Sequence, residues 1–588
     1  MIYLMRLMIP IVFVLTLCGF GFTQTQKPSA KDPYEGETSV YVATNGSDEN
    51  PGTKALPFRT IEVAIDKAVI FGVRVIKVAE GVYTPGNGLN TGFSGVAIKH
   101  HDIKLIGGYD QSFSSVVGYS TLDGQRKVQA VIEVRNVSNA LIENFVVSGA
   151  TNREKNDKNG GGIYLNKSDG STIRNVISSN NLVGNGAGMC IIGNRNRILD
   201  SKIIRNSGEN GGGIYLVGNF NEVSEVSVQS NSVGIWGGGI LVGGVSNVVK
   251  NSDVSFNSSR EGGGIYIDKG IANQVLDTTI GFNNAQNSGG GVFVNVGNAN
   301  FVRATVKNNT SRDGGGVYGF RTASLVVQSS ILENSATRNG GGIFFENTFK
   351  STVNSTVSKN SSGAIAGGIF LRGEENSISG TISENRSQDK AGGIYITGLK
   401  NVVKASITGN SSQKDGGGVY IELARSTRIE GSDISGNKSD NIGGGIFTIR
   451  DGDTTIVDSK IINNNSRLHG GGIAIYDSTN SFLMNLDVTQ NKSEITNSII
   501  YLYKTDAVIN LVISNCVISS VSGARGFGIY EDGLNDISLH RIIENTFVSD
   551  TLAGGLYRDY NLDATGLISA VNNPRFSGAS EARGNKQR

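Results

Sequence analysis

A glycine-rich phrase returns at a near-fixed interval along most of this chain, and no other feature restricts its fold so tightly. Gly160-Gly161-Gly162-Ile163-Tyr164 recurs as Gly211-Gly212-Gly213-Ile214-Tyr215 and as Gly262-Gly263-Gly264-Ile265-Tyr266. Further copies end at Gly188, Gly239, Gly291, Gly316, Gly342, Gly368, Gly393, Gly418, Gly445 and Gly472. A worn copy surrounds Ser498-Ile499, and two late copies end at Gly528 and Gly555. From Gly162 to Gly472 the steps are 25 to 27 residues. Such a period marks a repeat architecture, in which each unit buries its apolar face only against its neighbours. A second phrase, Ile or Val followed three residues later by Asn, keeps step with the first. It runs from Ile177/Asn180, Ile203/Asn206 and Val228/Asn231 to Val488/Asn491, with Val512/Asn515 and Ile542/Asn545 last.

Short alternating runs lie between the two phrases. Ile214-Tyr215-Leu216 sets two aliphatics on one face and an aromatic on the other, and Val223, Val226 and Val228 follow with polar residues between. Runs this short are strands and not helices. Three short strands joined by turns make one coil of 25 to 27 residues. Coils stacked about 4.8 Å apart pair each strand with its equivalents above and below, which is an all-β parallel β-helix solenoid. Composition agrees. Glycine supplies 81 of 588 residues and proline only 7, which excludes collagen and Pro-rich disorder. No proline lies between Pro85 and Pro574, where continuous ladders need every N–H. Asparagines suit the turns, and those pointing inward can stack as amide ladders. Lys plus Arg exceed Asp plus Glu by two, so no strong field favours nucleic acid or an anionic membrane.

Residues 1–23 read as an export signal: Arg6 is the only charge, and Ile9 to Phe22 is apolar but short for a membrane span. Residues 24–38 are a polar linker, 39–150 the N-terminal cap and first coils, 151–576 the repetitive β-helix and 577–588 a polar tail. In the cap, Thr60 is placed as a helix N-cap before a stripe of Ile61, Ala64, Ile65, Ala68 and Val69. Val75 to Val78, Ile103 to Ile106, Val131 to Val134 and Leu141 to Val147 read as early strands. Once the signal is removed, only Cys190 and Cys516 remain, about twelve repeats apart and far beyond disulfide reach. The mature chain is expected to carry no membrane span and no disulfide.

Leu15-Thr16-Leu17-Cys18 resembles a lipoprotein signal, which would make Cys18 a lipid anchor; Leu17 stands where that signal usually has a small residue. Tyr41-Val42-Ala43-Thr44-Asn45-Gly46-Ser47-Asp48, then Asn50-Pro51-Gly52-Thr53 and Pro57-Phe58-Arg59-Thr60-Ile61, resembles the opening of secreted bacterial pectate-lyase-like β-helix proteins. Gly107-Gly108-Tyr109-Asp110, Phe113 and Leu122-Asp123-Gly124 look like its continuation. The internal repeat is similar to that of chlamydial polymorphic membrane proteins, with aliphatics in place of their Phe. These resemblances imply a right-handed parallel β-helix and an extracellular or bacterial outer-surface location. They say little about activity, since the fold hosts both enzymes and adhesins.

Chemistry is less legible than shape. Gly-His-Gly and Arg-Ile-Lys phrases are absent, as are zinc spacings and the calcium-binding nonapeptide, and His100, His101, His469 and His540 fall on no such pattern. The best charged set follows the first strand of the later coils: Glu346, Arg372, Glu374, Glu422, Arg425, Arg450 and Asp451. Two readings stand for it: a solvated ladder of opposite charges, or a seat for a few sugar units. In the second, carboxylates hold Ca²⁺ against a uronate while an Arg takes the C5 proton; otherwise no cofactor is expected. A more regular feature is the aromatic after the glycine run: Tyr164, Tyr215, Tyr266, Phe293, Tyr318, Phe344, Phe370, Tyr395, Tyr420, Phe447, Tyr530 and Tyr557. These rings alternate with inward aliphatics, so they are expected to point outward, as a stacked ladder or as a platform for sugar rings. Phrases such as Asn360-Ser361-Ser362 match the glycosylation pattern and read as turn chemistry. The leading expectation is an exported, non-catalytic protein binding polysaccharide or a host or matrix surface. The alternative is a polysaccharide lyase or glycoside hydrolase acting on an acidic polysaccharide, and a third reading is a structural spacer.

Overall fold

The computed structural model describes residues 38–152, 158–503, Cys516 and the strands Asn510–Ser514, Val517–Ser519, Phe527–Asp532, His540–Glu544, Phe547–Val548 and Leu556–Arg558. The export signal, Cys18, nearly all of the linker and the polar tail lie outside the described residues. So do the side chains of Tyr530, Tyr557 and His540.

One coil shows how the repeat closes. Ile214–Val217 carries the chain out of the glycine run, Glu222–Ser224 and Ser227–Gln229 follow after tight corners, and Ser232–Trp236 returns it to the next glycines. Each strand pairs in parallel with its equivalent one coil on: Ile214 with Ile240, Val223 with Val249, Val228 with Val254 and Ser232 with Ser258. The expectation of three strands per coil therefore needs a fourth. The returning arms form their own parallel sheet of 12 strands along one edge.

Alternation decides what is buried. Ile214, Leu216, Val223 and Val228 and their equivalents make one continuous apolar core down the axis. At the corner after the third strand the chain must turn with its amides facing inward, where no water reaches them. Asparagine resolves this. From Asn206 to Asn491 the residues of the second phrase are buried one above another. Asn334 is typical: its Nδ2 donates to Val306 O (2.9 Å) and to Asn360 Oδ1 (3.0 Å). Its own Oδ1 accepts the backbone N–H (3.0 Å) and Nδ2 (2.9 Å) of Asn309. A second, shorter spine runs through Asn196, Asn221, Asn247, Asn273 and Asn300 at the corner after the first strand.

Register corrects three copies of the second phrase. Ser178, not Ile177, pairs with Ile203, so the ladder begins at Asn181; Asn180 sits beside it in the left-handed region (φ 54°). Val512 pairs with Phe482 and Ile542 with Val512, which places both on the second strand; Ile518 is the partner of Val488. Asn515 and Asn545 lie outside the described residues.

At the N-terminal end the helix Ile61–Ile70 lays Ile61, Ala64, Ile65 and Ala68 against the first strands, and Val69 is partly buried there. Thr60 is its N-cap residue, but the hydroxyl makes no cap bond. Asp48 Oδ1 instead accepts the Thr60 N–H (2.9 Å) and hydroxyl (3.1 Å). Cys190 and Cys516 are buried thiols, neither in a disulfide. Cohesion comes from stacking.

Candidate functional site

The aromatic residues leave the core side of the sheet as alternation requires, but they do not reach solvent. Tyr164, Tyr266, Phe293, Tyr318, Phe344, Phe370, Tyr395, Tyr420 and Phe447 are all no more than 7% exposed, and Tyr215 is half-buried. From Tyr215 to Phe447 they form a second apolar column outside the sheet, flanked by Ile365, Ala366, Ala391 and Ile442 from the segment just before the glycines; Tyr164 packs with Ala130 and Cys190 in a smaller cluster. The left-handed residue just before the last two glycines makes this fit; it is glycine in most coils and Ala366 or Ala391 in two. Gly314 has φ 65°, and a Cβ there would meet Tyr318 Cβ at 2.9 Å, so the turn closes against the base of the ring. The rings stack through the middle coils: Tyr318 on Phe344 at 4.9 Å, Phe344 on Phe370 at 4.3 Å and Phe370 on Tyr395 at 4.7 Å. Each such pair adds about 0.5–1.5 kcal/mol beyond burial. The described rings are buried in this ladder and do not offer the outward face expected of a sugar platform.

The charged candidates are held apart or neutralised. Arg372 Nη1 lies 3.5 Å from Glu346 Oε1, and the Tyr318 hydroxyl donates to the same carboxylate. Glu422 accepts from Arg450 (2.6 Å), Lys390 (3.5 Å) and the Tyr395 hydroxyl (3.1 Å). Burial, then Glu422, pushes the Tyr395 phenol well above the usual range. Glu374 and Arg425 share a column with Leu399 between them, about 10 Å apart at two coil steps. Asp451 is buried and accepts a hydrogen bond from Thr454, and burial raises its pKa. Arg372, Glu374, Glu422, Arg425 and Asp451 do not converge on a common point.

A different side of the coil does open. Asn221, Asn247, Asn376 and Asn401 each lie eight residues after the last glycine of their run. In four consecutive coils the count is nine: Gly264 to Asn273, Gly291 to Asn300, Gly316 to Leu325 and Gly342 to Ser351; it is nine again from Gly162 to Ser171, Gly418 to Thr427, Gly445 to Thr454 and Gly472 to Ser481. In the four consecutive coils the extra residue is absorbed by a second left-handed turn at Lys269 (φ 48°), Val296 (φ 48°), Arg321 (φ 49°) and Asn347 (φ 54°). Val296 is β-branched, so this conformation costs it about 1–2 kcal/mol. The widened corners form one wall of an open hollow of about 420 Å³. The facing wall is the column Ile271, Asn298, Ala323 and Phe349, joined by single bridges from coil to coil. Asn298 and Ala323 are small beside Ile271 and Phe349, which makes the wall concave. Gly297 and Thr322 are the other lining residues.

The family described as right handed beta helix region matches residues 341–503 and 392–564. The chain folds as a right-handed parallel β-helix, and the family match lies within it. No curated protein matches it. Among solved structures, it is similar to pectate lyase Pel9A (17% identity, 54% of this chain and 78% of that one, TM-score 0.33). It is also similar to bacteriophage CBA120 tailspike protein 3 (12%, 86% and 61%, 0.27) and to the Azotobacter vinelandii mannuronan C-5 epimerase AlgE6 A-module (11%, 83% and 94%, 0.23). No helix among the described residues is long and apolar enough to cross a membrane.

The hollow on this β-helix combines three kinds of side chain. Ile271, Val296 and Phe349 give apolar surface and are 41–48% exposed. Asn298 and Asn347 offer amides. Lys269 and Arg321 bring positive charge, and among the described residues neither forms an ion pair and no carboxylate lines the hollow. The Arg321 guanidinium sits over the Phe320 ring at 4.9 Å, and Lys350 over the Phe349 ring at 4.8 Å. The glycine and asparagine phrases carried no hint of this site. The distance from the glycines to the first corner, eight residues or nine, does not single it out either, because the coils after Gly162, Gly418, Gly445 and Gly472 also have nine.

Proposed function

We propose that this β-helix is an exported or cell-surface protein that binds polysaccharide and does not cleave it, and that the hollow at the wide corners is its contact. The observation that carries this reading is the hollow itself: a concave, exposed strip of apolar faces interleaved with amides on a rigid wall. Sugar rings present apolar C–H faces with hydroxyls around the edge, and such a strip matches both parts. The pairing of Arg372 and Glu422 within their own ladders supports binding over turnover. Export rests on the N-terminal signal read in the sequence.

Native gels cast with acidic and neutral polysaccharides test the reading. Retardation without loss of polymer is expected. Clearing of polymer around the band would make the protein an enzyme. Unretarded migration in every gel would remove the polysaccharide reading, leaving the structural-spacer one.

A further inference from the structure

We infer that the hollow selects sugar units bearing an anionic substituent, a carboxylate or a sulfate; this deepens the polysaccharide-binding reading and rests on it. Lys269 and Arg321 stand two coils apart on one wall, about 10 Å from each other, with Val296 between them. Both are exposed, and neither has an ion-pair partner among the described residues. Elsewhere along the rod, several outward cations meet carboxylates: Arg372 meets Glu346, Arg450 meets Glu422, and Arg197 and Lys250 share Glu222 at 2.8 Å each. Others, Lys404 and Arg425 among them, also form no ion pair among the described residues, so what sets Lys269 and Arg321 apart is that both line one hollow that no carboxylate lines.

The side chains around the two cations fit an anionic ring better than a bare anion. Arg321 rests over Phe320, which restricts its planar fork and leaves the N–H edges for a carboxylate or sulfate. Phe349 and Ile271 on the facing wall supply the apolar contact that a free ion would not use. Asn298 and Asn347 reach the ring hydroxyls. A neutral ring in the same place would gain the apolar contact and leave both cations unmatched, so the hollow discriminates by charge. No carboxylate lines it, so an anionic ring needs no bridging metal here.

The test is calorimetric titration of the intact protein with three oligosaccharides of similar length: oligogalacturonate, a sulfated galactan and a neutral galactan. Binding to the anionic probes is expected to be at least tenfold tighter than to the neutral one, and to weaken as salt rises. Which anionic probe binds more tightly decides between carboxylate and sulfate. Arg321→Gln and Lys269→Gln should each reduce anionic binding about tenfold, the loss of one charge-assisted contact, and leave neutral binding unchanged. Phe349→Ala should weaken all three. All three positions are exposed, and an unchanged thermal midpoint confirms that each variant is folded. Equal affinity for neutral and anionic probes, or full anionic affinity in Arg321→Gln, would overturn the inference and leave polysaccharide binding standing. Failure of all three probes, together with unretarded gels, would overturn both.

Discussion

A single asparagine in the long ladder satisfies four hydrogen-bonding needs at once, and no other side chain of its size does so. Replacing Asn334 by Ala would strand the Asn309 backbone N–H and the Val306 carbonyl in a region without water. Each stranded group costs about 1–3 kcal/mol, so Asn334→Ala should lose about 2–6 kcal/mol in urea unfolding. Asp451 is the opposite case. Burial raises its pKa, so the folded state holds its proton more tightly than the unfolded chain does. The stability this gives is complete below the ordinary carboxylate pKa of about 3.9 and is lost as pH rises through the folded-state value. Asp451→Asn removes that loss. Thermal midpoints should match the parent near about pH 3 and exceed it at about pH 7; a variant less stable at neutral pH would show that the carboxylate does other work. Residue identity alone did not fix the register here. Ile177-x-x-Asn180 obeys the phrase and Ser178-x-x-Asn181 does not, yet pairing with Ile203 and Asn206 puts the second in the ladder.

Strands and corners differ in what a local pattern reveals. Alternation correctly put Ile214 and Leu216 inside and Tyr215 on the other face, because a strand has only two faces. It could not say what covers the second face. That depends on the arm from Ser232 to Trp236 and its equivalents, which bring small and apolar residues such as Ala366 and Ile442 back over the rings. The two kinds of aromatic therefore have opposite consequences. Phe370 is buried between Phe344 and Tyr395, so Phe370→Ala should cost about 3–5 kcal/mol of stability while leaving polysaccharide retention of the folded fraction intact. Phe349 stands at the mouth of the hollow, so Phe349→Ala should change stability by less than about 1 kcal/mol and weaken retention. Loss of retention in Phe370→Ala with a normal unfolding curve would return the site to the aromatic ladder.

For the whole molecule, the 25-to-27-residue period made the rod legible, while the hollow depends on which side chains line one run of wide corners, since the corner length itself recurs elsewhere. A solenoid's coils touch only their neighbours, so one coil can be excised if the seam keeps phase. Removing residues 369–393 joins Gly368 to Ile394, and removing residues 317–342 joins Gly316 to Ile343; both seams restore a glycine run followed by a first strand. Both shortened chains should fold into rods about 4.8 Å shorter, measurable by small-angle scattering. The first deletion takes a narrow-corner coil, so the hollow and polysaccharide retention persist. The second takes Arg321, Thr322 and Ala323, which carries away the middle of the hollow, so retention should vanish from an equally folded rod. If both deletions bind, the contact lies elsewhere on the rod. If neither does, binding belongs to the full length of the stack and not to one side of four coils.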